Sequence, residues 1–409
     1  MGILISDSKP VLIYLAGLIA ISLALTLYTR FSRTHVRSTA LKRLSFLSIP
    51  YFLLGLALIP LFPGFFRDSY NQAHGILIML GVTWIGFHYG SRLDVRGHRG
   101  FNPRAFLFDV FVPLIVFLVI SALAALFLHF WFKTWQYTPV AFLTGVLCSF
   151  SFFRARDFIC GETGSPQDSG DFRSFLNLTP VLILALLEIF LSPSKEVALV
   201  TFTVTGIPAI LLFESAVALI GGILCRMMLA GAGDTESFPL ITIGSVALLG
   251  GLAYAFSLSP LFLGVFSGMF LVNTTLKRVQ VRETVALANS YIEKVFMFLL
   301  GTSTIPLIIG LSIDSLPILS AAAVLVILSA GLKWALAGIG APALRRDTRL
   351  LRIGIAGQGM LAAAAAVECA LQARLIPSVF LLFVAMVMLN QFSMIALTRT
   401  CPQEIAPNA

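Results

Sequence analysis

The chain has 409 residues, of which 11% are charged and 58% are apolar before its 32 glycines are counted. A soluble domain carries about 25% charged residues and about 45–50% apolar ones with glycine included, whereas the mean hydropathy here is +0.95. No water-soluble fold can hide so much apolar surface, and disorder needs low hydrophobicity; a soluble enzyme and a disordered chain are both excluded, which leaves an all-α polytopic membrane protein.

A helical span needs about 20 apolar residues. Thirteen apolar segments run along the chain, near 11–28, 45–62, 74–90, 105–130, 138–153, 174–191, 197–231, 238–256, 260–273, 292–311, 317–340, 352–371 and 377–398. The first has neither a basic flank before it nor a small-residue cleavage site, so it is read as a retained span. The seventh is long enough for one tilted span or two short ones, with Pro208 in its first half. The ninth is shorter than a full span. The polar stretch 154–173 is only a loop, so residues 1–409 are read as a single transmembrane domain without a separate soluble one.

The net charge of +9 would suggest nucleic acid in a soluble protein. Here it follows from basic residues gathering in cytoplasmic loops, and no nucleic-acid-binding motif is present. The loops after spans 1, 3, 5, 9 and 11 hold Arg30, Arg33, Arg37, Lys42, Arg43; Arg92, Arg96, Arg99, Arg104; Arg154, Arg156, Arg173; Lys277, Arg278, Arg282; and Arg345, Arg346, Arg349. With Arg399 that is 19 on one side, against Lys9, Arg67, Lys133, Lys195 and Arg374, which is 5, on the other. The bias requires 197–231 to cross once. It predicts an N-terminus outside and a C-terminus inside, in an inner or plasma membrane.

Two spans are irregular. Span 5 runs from Pro139 to about Phe153 and then meets Arg154 and Arg156; span 12 opens on Gly357-Gln358-Gly359 and continues through Ala362 to Ala366. Both read as broken or half-length helices. They lie seven spans apart, so they cross in opposite directions, which is the placement expected of matching broken helices in two inverted repeats of a secondary transporter. Broken helices expose backbone carbonyls and amides that can hold an ion at mid-membrane.

The order of segments resembles the cation/proton antiporter superfamily. Gly86-Phe87-His88-Tyr89-Gly90-Ser91-Arg92-Leu93-Asp94 is similar to its F-x-x-G-L-E-L-D segment. Gly250-Gly251-Leu252-Ala253 followed by Leu258-Ser259-Pro260 through Gly264 to Gly268 resembles its G-L-A-x-x-L-G-x-S-P-x-x-G-x-F-x-A-G stretch, with Asn273 matching the asparagine beyond it. Phe296 to Gly301 resembles its F-F-x-x-x-G, and Gly331-Leu332-Lys333 the segment bearing its membrane lysine. The resemblance implies thirteen spans, a homodimer, and exchange of a monovalent cation, sodium or potassium, for protons, with no cofactor and no enzymatic activity. The acidic residues of that family are missing. Ser151 and Phe152 stand where Thr-Asp is usual, Asn177-Leu178-Thr179-Pro180 where an acid pair is usual, and Gln358-Gly359-Met360 where Arg-Gly-Glu is frequent.

The candidate ion-site residues are therefore Ser151, Asn177, Thr179, Glu214, Lys333, Gln358 and Glu368. A charge at mid-membrane costs about 3 kcal/mol or more and faces a cavity or a partner. Lys333, deep in span 11, is either a proton-competing or core-neutralising lysine, as the resemblance implies, or a tether to the half-helix carbonyls where spans 5 and 12 cross. Glu214, in the middle of span 7, is either a proton carrier or a hydrogen-bonded structural acid. Glu368 follows five alanines and either pairs across a helix interface, where small residues allow close packing, or ends its span in water. Ser151, Asn177 and Thr179 are neutral oxygen donors that suit a hard cation or serve helix–helix hydrogen bonds. Glu188 reads as interfacial, Asp109 as a helix-terminus acid, His88 and His98 as solvated, and the five cysteines as packing residues with no metal spacing. Gly264 and Gly268 read as a helix-packing pair. Because the acids are missing, the same scaffold could instead be a degenerate relative acting as a sensor, scaffold or partner subunit, or a membrane-embedded transferase.

Overall fold

The computed structural model describes residues 48–58, 70–93, 103–132, 138–150, 179–191, 197–199, 202–204, 207–231, 237–309, 316–344, 359–372 and 377–399. Within them the chain forms twelve helices: α1 (Ile49–Leu58), α2 (Tyr70–Gly90), α3 (Pro103–Phe132), α4 (Thr138–Ser149), α5 (Thr179–Leu191), α6 (Ile207–Ala230), α7 (Ser237–Phe256), α8 (Pro260–Thr274), α9 (Arg278–Ile309), α10 (Leu316–Leu344), α11 (Met360–Gln372) and α12 (Pro377–Arg399). Strands β1 (Val197–Leu199) and β2 (Phe202–Val204) make a short antiparallel hairpin ahead of α6. The expected first span, 11–28, lies outside the described residues. Among the described residues four helices carry segments long and apolar enough to cross a membrane, at Val110–Phe130, Ile207–Ala230, Phe238–Phe256 and Ser320–Gly340, and the chain is an integral membrane protein.

The long seventh apolar segment divides into the hairpin and one helix, not two helices. Pro208 stands second in α6, where its missing N–H is one that no helix would use. The three residues 275–277 suffice to join α8 to α9, and α9 begins earlier than the apolar pattern: Arg278 and Arg282, expected in a loop, lie on its first turns. A helix can run past the apolar core because its backbone is satisfied internally whatever its side chains face.

Three crossings bring helix backbones together; at one of them, α3–α4, a Cβ on Gly145 would lie 2.7 Å from the Phe117 carbonyl oxygen. A Cβ on Gly86 would lie 2.6 Å from the Leu261 carbonyl oxygen, and one on Gly90, Gly264 or Gly268 would meet the carbonyl of Val265, Thr83 or Phe87. The α2–α8 contact is thus possible only because four positions lack side chains, as packing through small residues requires. The α1–α9 crossing repeats the device: Gly55 faces the Phe298 carbonyl and Gly301 faces the Phe52 carbonyl.

The helices sort into two groups by their packing. Helices α3, α4, α5, α10, α11 and α12 pack on one another, as do α1, α2, α6, α7, α8 and α9, and α2 against α11 is the main seam between them. Phe117 of α3, Phe142 of α4 and Phe190 of α5 form a ring cluster with centroid separations of 6.3, 5.8 and 4.8 Å. That cluster fixes α4 against its neighbours, and so fixes where its C-terminal end falls.

Candidate functional site

Helices α4 and α11 contain only 12 and 13 residues, well under the about 20 needed to span. They lie in the two irregular spans. Helix α4 stops at Ser149, and α11 starts at Met360 after the buried Gly359. Helix ends leave backbone groups without intrahelical partners, and within apolar surroundings those groups are costly unless something meets them.

Lys333 meets one such end. It sits in the middle of α10 with no exposed surface, and its Nζ donates to the carbonyl oxygen of Phe150 at 2.5 Å. Phe150, itself fully buried, is the residue immediately beyond α4. An ammonium at a helix C-terminus interacts favourably with the partial negative charge there. Lys333 is thus bonded to the residue just past the half-helix, and among the described residues no carboxylate pairs with it. The sequence located the lysine; a backbone carbonyl carries no residue signature, so its partner was legible only as a class.

Glu214 lies elsewhere. It is fully buried on α6, and its Oε1 accepts from the backbone N–H of Ser259 at 3.0 Å. Ser259 is the N-cap of α8, its Oγ accepting from the N–H of Phe262 at 3.0 Å, with Pro260 following. Serine at the N-cap, proline next and a carboxylate beside them are the chemistry that a helix N-terminus favours. This geometry fits the reading of Glu214 as a structural acid that anchors the α7–α8 turn to α6.

Glu368 is fully buried on α11, so it does not end its span in water. Thr179 is the first residue of α5. Ser151, Asn177 and Gln358 lie outside the described residues, as do Cys160 and Cys401. Two expectations are corrected. Glu188 is buried, at 1% exposure, because α5 turns that face into the bundle, and His88 is buried at 3% on α2 against α8 and α11. Nearness to a span end set the first expectation of Glu188 and nearness to a basic loop that of His88, and helix rotation, which apolar segments obscure, decided otherwise. Among the described residues no cluster suits a metal ion, and Cys148, Cys225 and Cys369 are buried free thiols.

Three features escaped the sequence. His74 of α2 bonds Ser303 of α9 at 2.7 Å, Ser303 donating onward to the Leu299 carbonyl. Asn273 donates to the carbonyls of Leu93 and Met269 at 2.6 and 2.8 Å, so the end of α8 ties down the chain leaving α2. Gln391 of α12, 1% exposed, points its amide Nε2 at the Met360 sulfur, 3.9 Å away, at the first residue of α11. A cavity of about 540 Å³ lies between α6 and α8, lined by Leu219, Phe266, Met269, Phe270 and Asn273 among others; it belongs to the helix group that lacks Lys333.

No family model and no curated protein matches the chain. Solved structures do. The chain is similar to the sodium proton antiporter MjNhaP1 from Methanocaldococcus jannaschii, determined by electron microscopy, over 97% of this chain and 100% of that one, at 13% identity and a TM-score of 0.62. A structure of the same antiporter at pH 8 matches over 94% of this chain and 99% of that one, at 14% identity and a TM-score of 0.59. The chain has a cation/proton antiporter-like fold.

Proposed function

We propose that this chain is a secondary transporter that exchanges a monovalent cation, sodium or potassium, for protons, with its coupling altered by the missing acid pair. The observation that carries the reading is Lys333 on the Phe150 carbonyl, where a helix of an antiporter-like fold breaks off inside the bundle. A cation entering that end competes with the ammonium for the same carbonyl, and like charges exclude each other strongly where the dielectric is low. Of the acids, Glu368 lies on α11, in the helix group of Lys333, whereas Glu214 lies on α6, outside it. Ser151, Asn177, Thr179 and Gln358 complete the set of neutral oxygens in the two irregular spans and the segment between them.

The reading includes two inverted repeats. The glycine crossings support it: α1–α9 joins spans 2 and 10, and α2–α8 joins spans 3 and 9. Adding seven to 2 gives 9 and adding seven to 3 gives 10, so one crossing is the image of the other. It also includes a homodimer and an N-terminus outside the membrane, the latter resting on the basic-residue bias.

A second reading shares the fold. With Lys333 engaged on Phe150 and the family's acids absent, the chain would serve as a sensor, scaffold or partner subunit without exchange. One experiment separates the two: purified protein in liposomes holding a pH gradient, challenged with sodium, potassium or lithium. Exchange dissipates the gradient on adding at least one cation. A gradient that survives all three across pH 6–9 rejects exchange and supports the second reading.

A further inference from the structure

We propose that Gln391, on the last described helix, lends a coordinating oxygen to the transported cation at the start of α11; this rests on the exchange reading above. Gln391 is 1% exposed, yet among the described residues its carbonyl Oε1 has no hydrogen-bond partner. Buried polar atoms are almost always partnered. A glutamine between membrane helices ordinarily bonds across to a neighbour, but among the described residues its one such contact is Nε2 with the Met360 thioether at 3.9 Å, and a thioether is a weak acceptor. The side chain is therefore not spent as glue between helices.

Its position bears on the ion path. Met360 opens α11, the half-helix that begins inside the bundle, and α12 also packs on α10, which carries Lys333, and on α4, whose end Lys333 holds. An uncharged amide oxygen is a ligand that hard cations accept. The α11 start does not take up that oxygen: the N–H of Ala362 meets the Gly359 carbonyl at 3.1 Å. A partly hydrated monovalent cation satisfies the unpartnered amide oxygen, with water filling its remaining coordination positions. That cation and the Lys333 ammonium repel one another, so the cation settles on Gln391 as Lys333 releases its proton and becomes a neutral amine. One positive charge enters and one proton leaves, and the balance needs no carboxylate.

The test uses the full-length protein with Gln391→Leu and Gln391→Glu, read in two ways: cation concentration dependence of proton flux in liposomes, and stabilisation of the detergent-solubilised protein against heating by sodium, potassium or lithium. Gln391→Leu is expected to raise the KM for the cation about tenfold with the maximal rate little changed, the signature of lost binding, and to shift the midpoint of stabilisation equally. Gln391→Glu is expected to lower both. An unchanged KM and midpoint in either variant overturns the proposal, as does a fall in maximal rate at constant KM. Should the wild type be stabilised by a cation but show no exchange, loss of that stabilisation in Gln391→Leu upholds the Gln391 site and rejects exchange. A wild type that no cation stabilises and no cation drives rejects both.

Discussion

Two buried charges of the same sequence type, isolated in apolar spans, have different work. Lys333 holds the free end of α4, and Glu214 holds the start of α8. Replacing Glu214 by leucine leaves the Ser259 N–H buried without its acceptor, which costs about 1–3 kcal/mol; Glu214→Gln keeps an oxygen for that bond. The expected outcome is a lowered melting temperature for Glu214→Leu, near-native stability for Glu214→Gln, and an unchanged cation KM in both. Loss of exchange in a stable Glu214→Gln would instead make Glu214 a proton carrier. That isolated charges mark important positions was legible from hydropathy alone. Which role each plays was not, because both partners are backbone atoms, brought near by the fold from 183 and 45 residues away along the chain.

Elements were legible where the chain breaks and less so where it continues. The half-length α4 and α11 follow from the abrupt arginines after span 5 and the glycines opening span 12. The hairpin before α6 and the polar start of α9 did not follow, since apolar content marks membrane depth and not backbone state. At the α7–α8 turn, Ser257 adopts φ 53°. The Leu258 N–H reaches the Ala253 carbonyl at 2.9 Å, closing the helix with the paired bonds of a left-handed C-terminal cap. A side chain there costs about 1 kcal/mol relative to glycine, so Ser257→Gly is expected to raise stability by about that much in a thermal melt; no gain would mean that the serine side chain offsets the strain. The glycine crossings give the opposite sign. Gly264→Leu places a side chain against the Thr83 carbonyl and the Phe87 N–H, and neither backbone can yield without separating α2 from α8. The expected result is a sharp loss of folded protein on size-exclusion chromatography, whereas Gly251→Leu, with open space around it, is expected to elute as wild type.

At the scale of the molecule, one helix group carries the α1–α9 and α2–α8 glycine crossings, and the other carries both half-helices, Lys333 and the α3–α4 glycine contact. Backbone-to-backbone packing resists deformation in both, whereas the bond at the α4 end is held by the single Lys333 side chain. A releasable side-chain bond among rigidly packed helices suits the alternating access of the proposed exchange. The overall plan was legible from the sequence because the glycine motifs sit at the crossings that build it. The exchange reading, which takes the acid pair to be absent, rests its weight on Lys333. The most direct measurement is cation-driven proton flux in liposomes for wild type and Lys333→Ala, matched for folded protein. The expected result is gradient collapse on adding sodium or potassium to wild type and none with Lys333→Ala. Equal fluxes from the two would contradict an exchange site built around Lys333.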